Sequence, residues 1–230
     1  LEGLIRNARI DEKLQTNLTN KIPTTTNLAF FGGAFNPPTF AHLEIAKSLI
    51  LDGHVQRVSF LPAALHKFKG ELPFFELRTK LLQLLFRNAP DTCKWRLDVR
   101  SWELNNLAGT TEGLVNILRS HEGINRPTLI IGGDNFANLD KWHNWQNLIS
   151  STNLVVLNRE KLSVDVLKSR PFYDEERHRI IHADIPHISS TMLRVAIKNE
   201  KWNVAATMTP ANVLDEIRQD EDYLNYLGAI

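Results

Sequence analysis

Short apolar runs alternate along this chain with longer stretches whose apolar residues fall at helical spacing. The runs begin near residues 28, 56, 94, 127, 153 and 179, and each is too short or too continuous for a helix, so each predicts a buried strand. Between them, Leu43, Ala46, Leu49 and Ile50 predict a helix over about 40–51. Leu77, Leu81, Leu84 and Leu85 predict one over 74–88 with Arg78 and Lys80 on its wet side. A third spans 109–121, capped by Thr110 or Thr111, and a fourth starts at Ser189 to Thr191 and buries Leu193, Ala196 and Ile197. Residues 161–178, broken by Pro171, predict a short helix and an exposed loop. Residues 201–230 predict two short helices meeting at Thr209-Pro210, with a solvated acidic face over 215–223. Strands and helices in alternation imply right-handed crossovers and an α/β fold: a doubly wound parallel sheet of about six strands with helices on both faces.

With 230 residues, 43% hydrophobic and 23% charged, the chain has enough apolar content for one large domain and too much for disorder. No internal repeat or domain linker follows residue 27. Residues 15–27 are polar and threonine-rich and residues 1–12 only loosely patterned, so 1–27 read as a peripheral extension to a domain over 28–230. Leu1 in first place reads as a processed or truncated end; Arg6 and Arg9 hint at a transit segment, but Glu2, Asp11 and Glu12 count against one. A net charge of +1 with both signs interspersed advertises no face for long nucleic acid, yet leaves the few cations that a phosphorylated small molecule needs. No run approaches the ~20 apolar residues of a membrane span, so no membrane partner is expected. One cysteine, Cys93, excludes an internal disulfide framework and points to the cytoplasm or another reducing intracellular compartment. A homo-oligomer is compatible with all of these features.

Two stretches concentrate the chemistry. In the first, Leu28, Ala29, Phe30 and Phe31 meet Gly32 and Gly33, and the chain passes Pro37 and Pro38 before entering a helix through Thr39 and His42. The glycines permit backbone angles that a side chain would forbid and let a ligand approach the main chain. The helix start sets His42 among unpaired N–H groups, where an anion is well placed. The spacing matches neither the dinucleotide fingerprint nor a P-loop, and taken alone it is an ordinary strand-turn-helix corner. The second stretch, ISSTMLR at 188–194, gives it weight: Ser189, Ser190 and Thr191 head a helix with Arg194 above its mouth, a seat suited to a polyphosphate. Another strand-to-glycine corner, at Gly132, sets Asp134 where ribose hydroxyls are held or the next turn is capped. Beyond it Trp142 is expected to offer its face to a flat ring while Trp145 packs inward.

Together GGAFNPPTFAH and ISSTMLR resemble the two signature motifs of the nucleotidyltransferase superfamily, which has a Rossmann-like sheet and a histidine-containing phosphate loop. The closer resemblance is to its nicotinamide/nicotinate mononucleotide adenylyltransferase branch, and it covers residues 28 to about 227. IIGGDNFANLDKW and LVVLNR, which bring in Gly132 and Arg159, are similar to the middle segments of that branch, and RSWE is similar to a segment of its eukaryotic members. Thr39 takes the first place of the catalytic pattern, and Ala41 the place often held by glycine.

The resemblance implies transfer of AMP from Mg²⁺-bound ATP to nicotinate or nicotinamide mononucleotide, with release of pyrophosphate, in NAD biosynthesis. It implies that His42 bonds the α-phosphate, that Thr39 assists, and that the backbone around Phe31, Gly32, Gly33 and Phe35 holds the nucleotide. Lys67 would lie by the mononucleotide phosphate, Thr111 and Trp142 at the pyridine ring, and Asp134 on the nucleotide side; Ser189, Ser190, Thr191 and Arg194 would take the β- and γ-phosphates. Such a transfer needs positioning and charge neutralisation rather than a covalent nucleophile. The alternatives are a sister nucleotidyltransferase with another phosphomonoester acceptor and a non-catalytic nucleotide-binding module.

Overall fold

The computed structural model describes residues 26–66, 70–101, 106, 110–158 and 162–229; Lys67, Arg159 and the Trp102-Glu103 pair of RSWE lie outside them. The strands in chain order are β1 (Thr26–Gly33), β2 (Val55–Pro62), β3 (Leu65–His66), β4 (Gly70–Glu71), β5 (Leu97–Val99), β6 (Thr128–Gly132), β7 (Asn153–Leu157) and β8 (His178–Ile181). Six of them form one parallel sheet in the order β5-β2-β1-β6-β7-β8. The chain winds outward from β1 through β2 to β5, then returns to β6 beside β1 and winds out the other way. That reversal opens a crevice at the carboxyl ends of β1 and β6, where α/β sheets bind ligands.

The helices are α1 (Phe40–Leu51), α2 (Phe75–Phe86), α3 (Asp91–Lys94), α4 (Thr111–Glu122), α5 (Gly133–Ala137), α6 (Trp145–Ser151), α7 (Val164–Lys168), α8 (Ser190–Lys198), α9 (Trp202–Ala205), α10 (Ala211–Gln219) and α11 (Glu221–Leu227). Alternation along the strands divides the core into two layers. Ala29 of β1 and Val155 and Leu157 of β7 pack with Leu43, Leu81, Leu193, Ile217 and Tyr223 from α1, α2, α8, α10 and α11. Phe30, Leu129, Leu154 and Val156 turn to the other face, against Leu114, Phe136, Leu148 and Leu167 of α4 to α7. The central runs 129–131 of β6 and 154–157 of β7 are apolar without a break because both faces are covered, whereas β2, β5 and β8 carry polar residues such as Arg57, Asp98 and Arg179.

Three details depart from the sequence pattern. The β3-β4 hairpin was not expected, because two-residue strands are too short to carry an alternation. The run near 94 splits into α3 and a three-residue β5. Residues 201–229 make three helices, not two, since Asp220 ends α10 and at once caps α11 by accepting from the Tyr223 N–H at 2.8 Å.

Candidate active site

A cleft of about 530 Å³ lies at the reversal of strand order, lined among others by Phe31, Gly32, Gly33 and Ala34 from the β1 corner and by Gly132 and Asn135 from the β6 corner. Thr110, Thr111 and Leu114 of the α4 entry, together with Trp142 and Lys141, form its outer wall. Thr110 is the cap of α4, accepting from the Gly113 N–H at 3.1 Å, which settles the choice between the two threonines. Trp142 is half-buried, with part of its ring against the second core layer; Trp145 packs on Phe172 at 5.7 Å.

Neither Gly32 nor Gly33 adopts a left-handed conformation; that role in the loop falls to Phe35, at φ 47°. A β-carbon on Gly32 would meet nothing, while one on Gly33 would press on the Phe35 ring at 3.0 Å. The expectation of unusual glycine angles is therefore corrected, and what these glycines supply is bare backbone facing the cleft. Phe35 itself is buried, with its ring edge-on to His42 at 5.1 Å and to Phe31 at 5.5 Å.

Thr39 caps α1 and is fully buried. Its backbone N–H donates to His42 Nδ1 at 3.0 Å, and its hydroxyl lies 2.9 Å from the same nitrogen. An Nδ1 that accepts from an amide has no hydrogen of its own, so in the neutral ring the hydrogen sits on Nε2. Thr39 thus sets the tautomer and the aim of His42. Ala41 is buried, so its methyl group belongs to the core.

Between Gly33 and α1 the loop is held from behind by its carbonyls. Ala63 N–H bonds Gly33 O at 2.8 Å, Arg78 Nη1 bonds Ala34 O at 2.8 Å, Arg194 Nη1 bonds Asn36 O at 2.6 Å, Ser190 Oγ bonds Pro37 O at 2.8 Å and Thr209 Oγ1 bonds Pro38 O at 3.0 Å. The Tyr223 hydroxyl adds a 2.6 Å bond to Asn36 Oδ1, and burial pushes its ionisation well above the usual phenol range. Carbonyl dipoles that point to these donors do not point at an anion in front of the loop. The Asn36-Pro37 peptide is cis.

The second motif meets the first here, in a form that corrects the simple seat of hydroxyls. Ser189 caps α8 by accepting from Met192 N–H at 3.2 Å, Ser190 is committed to Pro37, and Thr191 accepts from Arg194 Nη2 at 3.2 Å. Arg194 forms no ion pair among the described residues, and its guanidinium lies beside the loop through the Asn36 bond. Asp134 is exposed on the first turn of α5 with its carboxylate over Gly132, while Asn135 lines the cleft. Sequence reasoning missed Arg78, Thr209 and Tyr223. Arg78 is fully buried, not wet, and a signal for it existed: residues 78, 81, 82 and 85 share one helical face whose other members are leucines. Tyr223, hidden in an acidic run, offered none.

The sequence matches the cytidylyltransferase-like family over residues 30–196. It is similar to a curated protein of Clostridium novyi named "Probable nicotinate-nucleotide adenylyltransferase", 31% identical over 74% of this chain and 86% of the relative. A protein of the same name from Clostridium acetobutylicum is 28% identical over 85% of this chain and 98% of its own length. Among solved structures, Plasmodium falciparum nicotinic acid mononucleotide adenylyltransferase complexed with NaAD superposes with a TM-score of 0.73 at 17% identity, over 86% of this chain and 97% of that one. At that identity the likeness is one of fold.

Proposed function

The chain belongs to the cytidylyltransferase-like family, and from that premise we propose that it is an adenylyltransferase joining the AMP moiety of ATP to nicotinate mononucleotide, with release of pyrophosphate, in NAD biosynthesis. The observation that carries the proposal is the pairing of Thr39 with His42 at the head of α1, beside a cleft at the reversal of strand order. In this reading a phosphate oxygen of the mononucleotide attacks the α-phosphorus in line, and the bond from that phosphorus to the bridging oxygen of pyrophosphate breaks. His42 donates from Nε2 to the α-phosphate as negative charge builds there, so its contact strengthens toward the transition state. Thr39 positions the imidazole. Arg194, with Thr191 and the α8 entry, draws off the charge of the leaving pyrophosphate. Bare backbone at Gly32 and Gly33 admits the nucleotide, and Trp142 with Thr111 takes the pyridine ring. The N–H groups at the entry to α4 and the exposed Lys141 favour a carboxylate on that ring over an amide, in keeping with the acceptor in the relatives' names.

Mg²⁺ enters this proposal as part of the substrate, on the phosphates of ATP. Among the described residues no group of three or more His, Cys, Asp or Glu is placed to hold a metal, so no protein ligand is assigned. No helix among them is long and apolar enough to cross a membrane. The lone thiol, Cys93, is buried and suits a reducing intracellular compartment.

The test is pyrophosphate release from Mg·ATP with nicotinate mononucleotide, nicotinamide mononucleotide and phosphopantetheine offered separately. The highest kcat/KM is expected with nicotinate mononucleotide. Turnover with phosphopantetheine alone would identify a sister transferase, and ATP binding with no release from any acceptor would leave only a nucleotide-binding module.

A further inference from the structure

Among the described residues Arg78 is the one fully buried lysine or arginine. Each of its three nitrogens donates to a backbone carbonyl: Nε to Pro73 O at 2.9 Å, Nη1 to Ala34 O at 2.8 Å and Nη2 to Leu72 O at 3.1 Å. Ala34 belongs to the loop after β1 and Leu72 to the segment after the β3-β4 hairpin, and both line the cleft. One side chain therefore ties two walls together. Carbonyls satisfy its hydrogens but not its charge, and among the described residues it forms no ion pair. Hydrocarbon in this position would avoid the desolvation penalty of a buried cation but would take the Arg78 donor away from the Pro73, Ala34 and Leu72 carbonyls. The Glu76 carboxylate acts on this charge only from beyond ion-pair distance, and a buried charge beside the loop acts on what stands across it with less screening by salt than a surface charge would.

We propose that Arg78 is a positioning residue for the polyphosphate, stapling the Ala34 wall to the Leu72-Pro73 wall and holding a fixed positive charge behind the loop. Polyphosphate affinity then depends on Arg78 more steeply as ligand charge rises. The inference rests on the adenylyltransferase reading for its ligand, but not on turnover.

The experiment is a binding series, adenosine, AMP, ADP and ATP without acceptor, read by calorimetry on the native chain and on Arg78→Met. Adenosine is expected to weaken less than about twofold and ATP about tenfold or more, with the intermediates between. A single factor across the series would mean a purely mechanical staple and overturn the charge role. Should Arg78→Met fail to fold, Arg78→Lys decides. A desolvated lysine loses its proton below its ordinary range, so the ATP-to-adenosine affinity ratio, taken relative to the native chain, is expected to fall as pH rises toward ~10. The neighbouring titratable groups Glu76, Tyr223 and Tyr226 are common to both chains and cancel in that comparison. A relative ratio that stays flat with pH overturns the proposal. Because no step requires catalysis, absence of pyrophosphate release would discredit the reaction while leaving this series to stand or fall by itself.

Discussion

The two strand-to-glycine corners look alike in sequence and lie side by side at the ends of β1 and β6, yet their glycines serve different ends. At the β1 corner Gly32 has open space around its missing side chain, and the loop beyond it is shaped by donors from Arg78, Ser190, Arg194, Thr209 and Tyr223. At the β6 corner the helix starts at once, and a β-carbon on Gly133 would press on Asn158 Oδ1 at 3.2 Å. Asn158 has little room to yield, because its amide donates to Leu162 O at 2.6 Å while its Oδ1 accepts from Leu162 N–H at 2.9 Å. Gly32 leaves room for the ligand's approach in the proposed reaction, whereas Gly33 against the Phe35 ring and Gly133 against Asn158 are kept small by the protein's own packing. A double glycine after a strand marks a tight place without saying what fills it.

Substitutions sharpen that contrast. The largest effect belongs to the first corner: His42→Ala should lower kcat for pyrophosphate release roughly a hundredfold or more with little change in the KM for ATP, as expected of a contact made mainly in the transition state. An unchanged kcat would remove His42 from the chemistry. Next, Gly133→Ala should cost about 1–3 kcal/mol in urea denaturation through overpacking, whereas Gly32→Ala should stay within ~0.5 kcal/mol and act instead on the KM for ATP. Equal losses of stability at the two sites would erase the distinction drawn here. Trp142→Ala should raise the KM for the mononucleotide up to about tenfold, the scale of one stacking contact, and a change confined to ATP would move the tryptophan to the other substrate.

The effect that needs the finest measurement is one of pH and belongs to the second corner. His178 is buried with Nδ1 accepting from Asp174 N–H at 3.1 Å and its ring edge-on to Phe136 of α5 at 5.4 Å; burial pushes its pKa down to about 4. The unfolded chain takes up this proton near pH 6.5 and the folded chain only near 4, so the stabilisation is complete above 6.5 and declines as pH falls between those values. The slope is at most about 1.4 kcal/mol per pH unit. Denaturation midpoints at successive pH values should show that slope in the native chain and a flatter one in His178→Phe; parallel profiles would exonerate the histidine.

How much of this was legible beforehand follows from the range of each interaction. The sheet, its double winding and both corners were readable because unbroken apolar runs and their glycines are local signals. The second motif was legible only as a phosphate seat, and the bonds of Ser190 and Arg194 to Pro37 O and Asn36 O of the histidine loop were not foreseen. What stayed hidden depends on partners far along the chain. Arg78 shares a helical face with Leu81, Leu82 and Leu85, which hints at burial, but its acceptor Ala34 O lies 44 residues away and no local pattern names it. Tyr223 reaches Asn36 across 187 residues from within an acidic run. No local pattern says which of two adjacent threonines caps a helix, and Thr110 and Thr111, which both line the cleft, were told apart only by the Gly113 bond.

The clasp on the β1 loop also implies an order of assembly. Its bonds from Ser190, Arg194, Thr209 and Tyr223 span 153, 158, 171 and 187 residues, while the strands that frame the cleft are complete by residue 181. A nascent chain can therefore close its sheet well before the loop acquires its final shape, and long-range closures are the ones that entropy delays. A copy clipped by a protease after α8 would keep all six sheet strands and still lack two of the four fastenings. Such a copy would also have lost Ile217 and Tyr223 from the first core layer, so the fastening of the loop and the packing of that face of the sheet fail together.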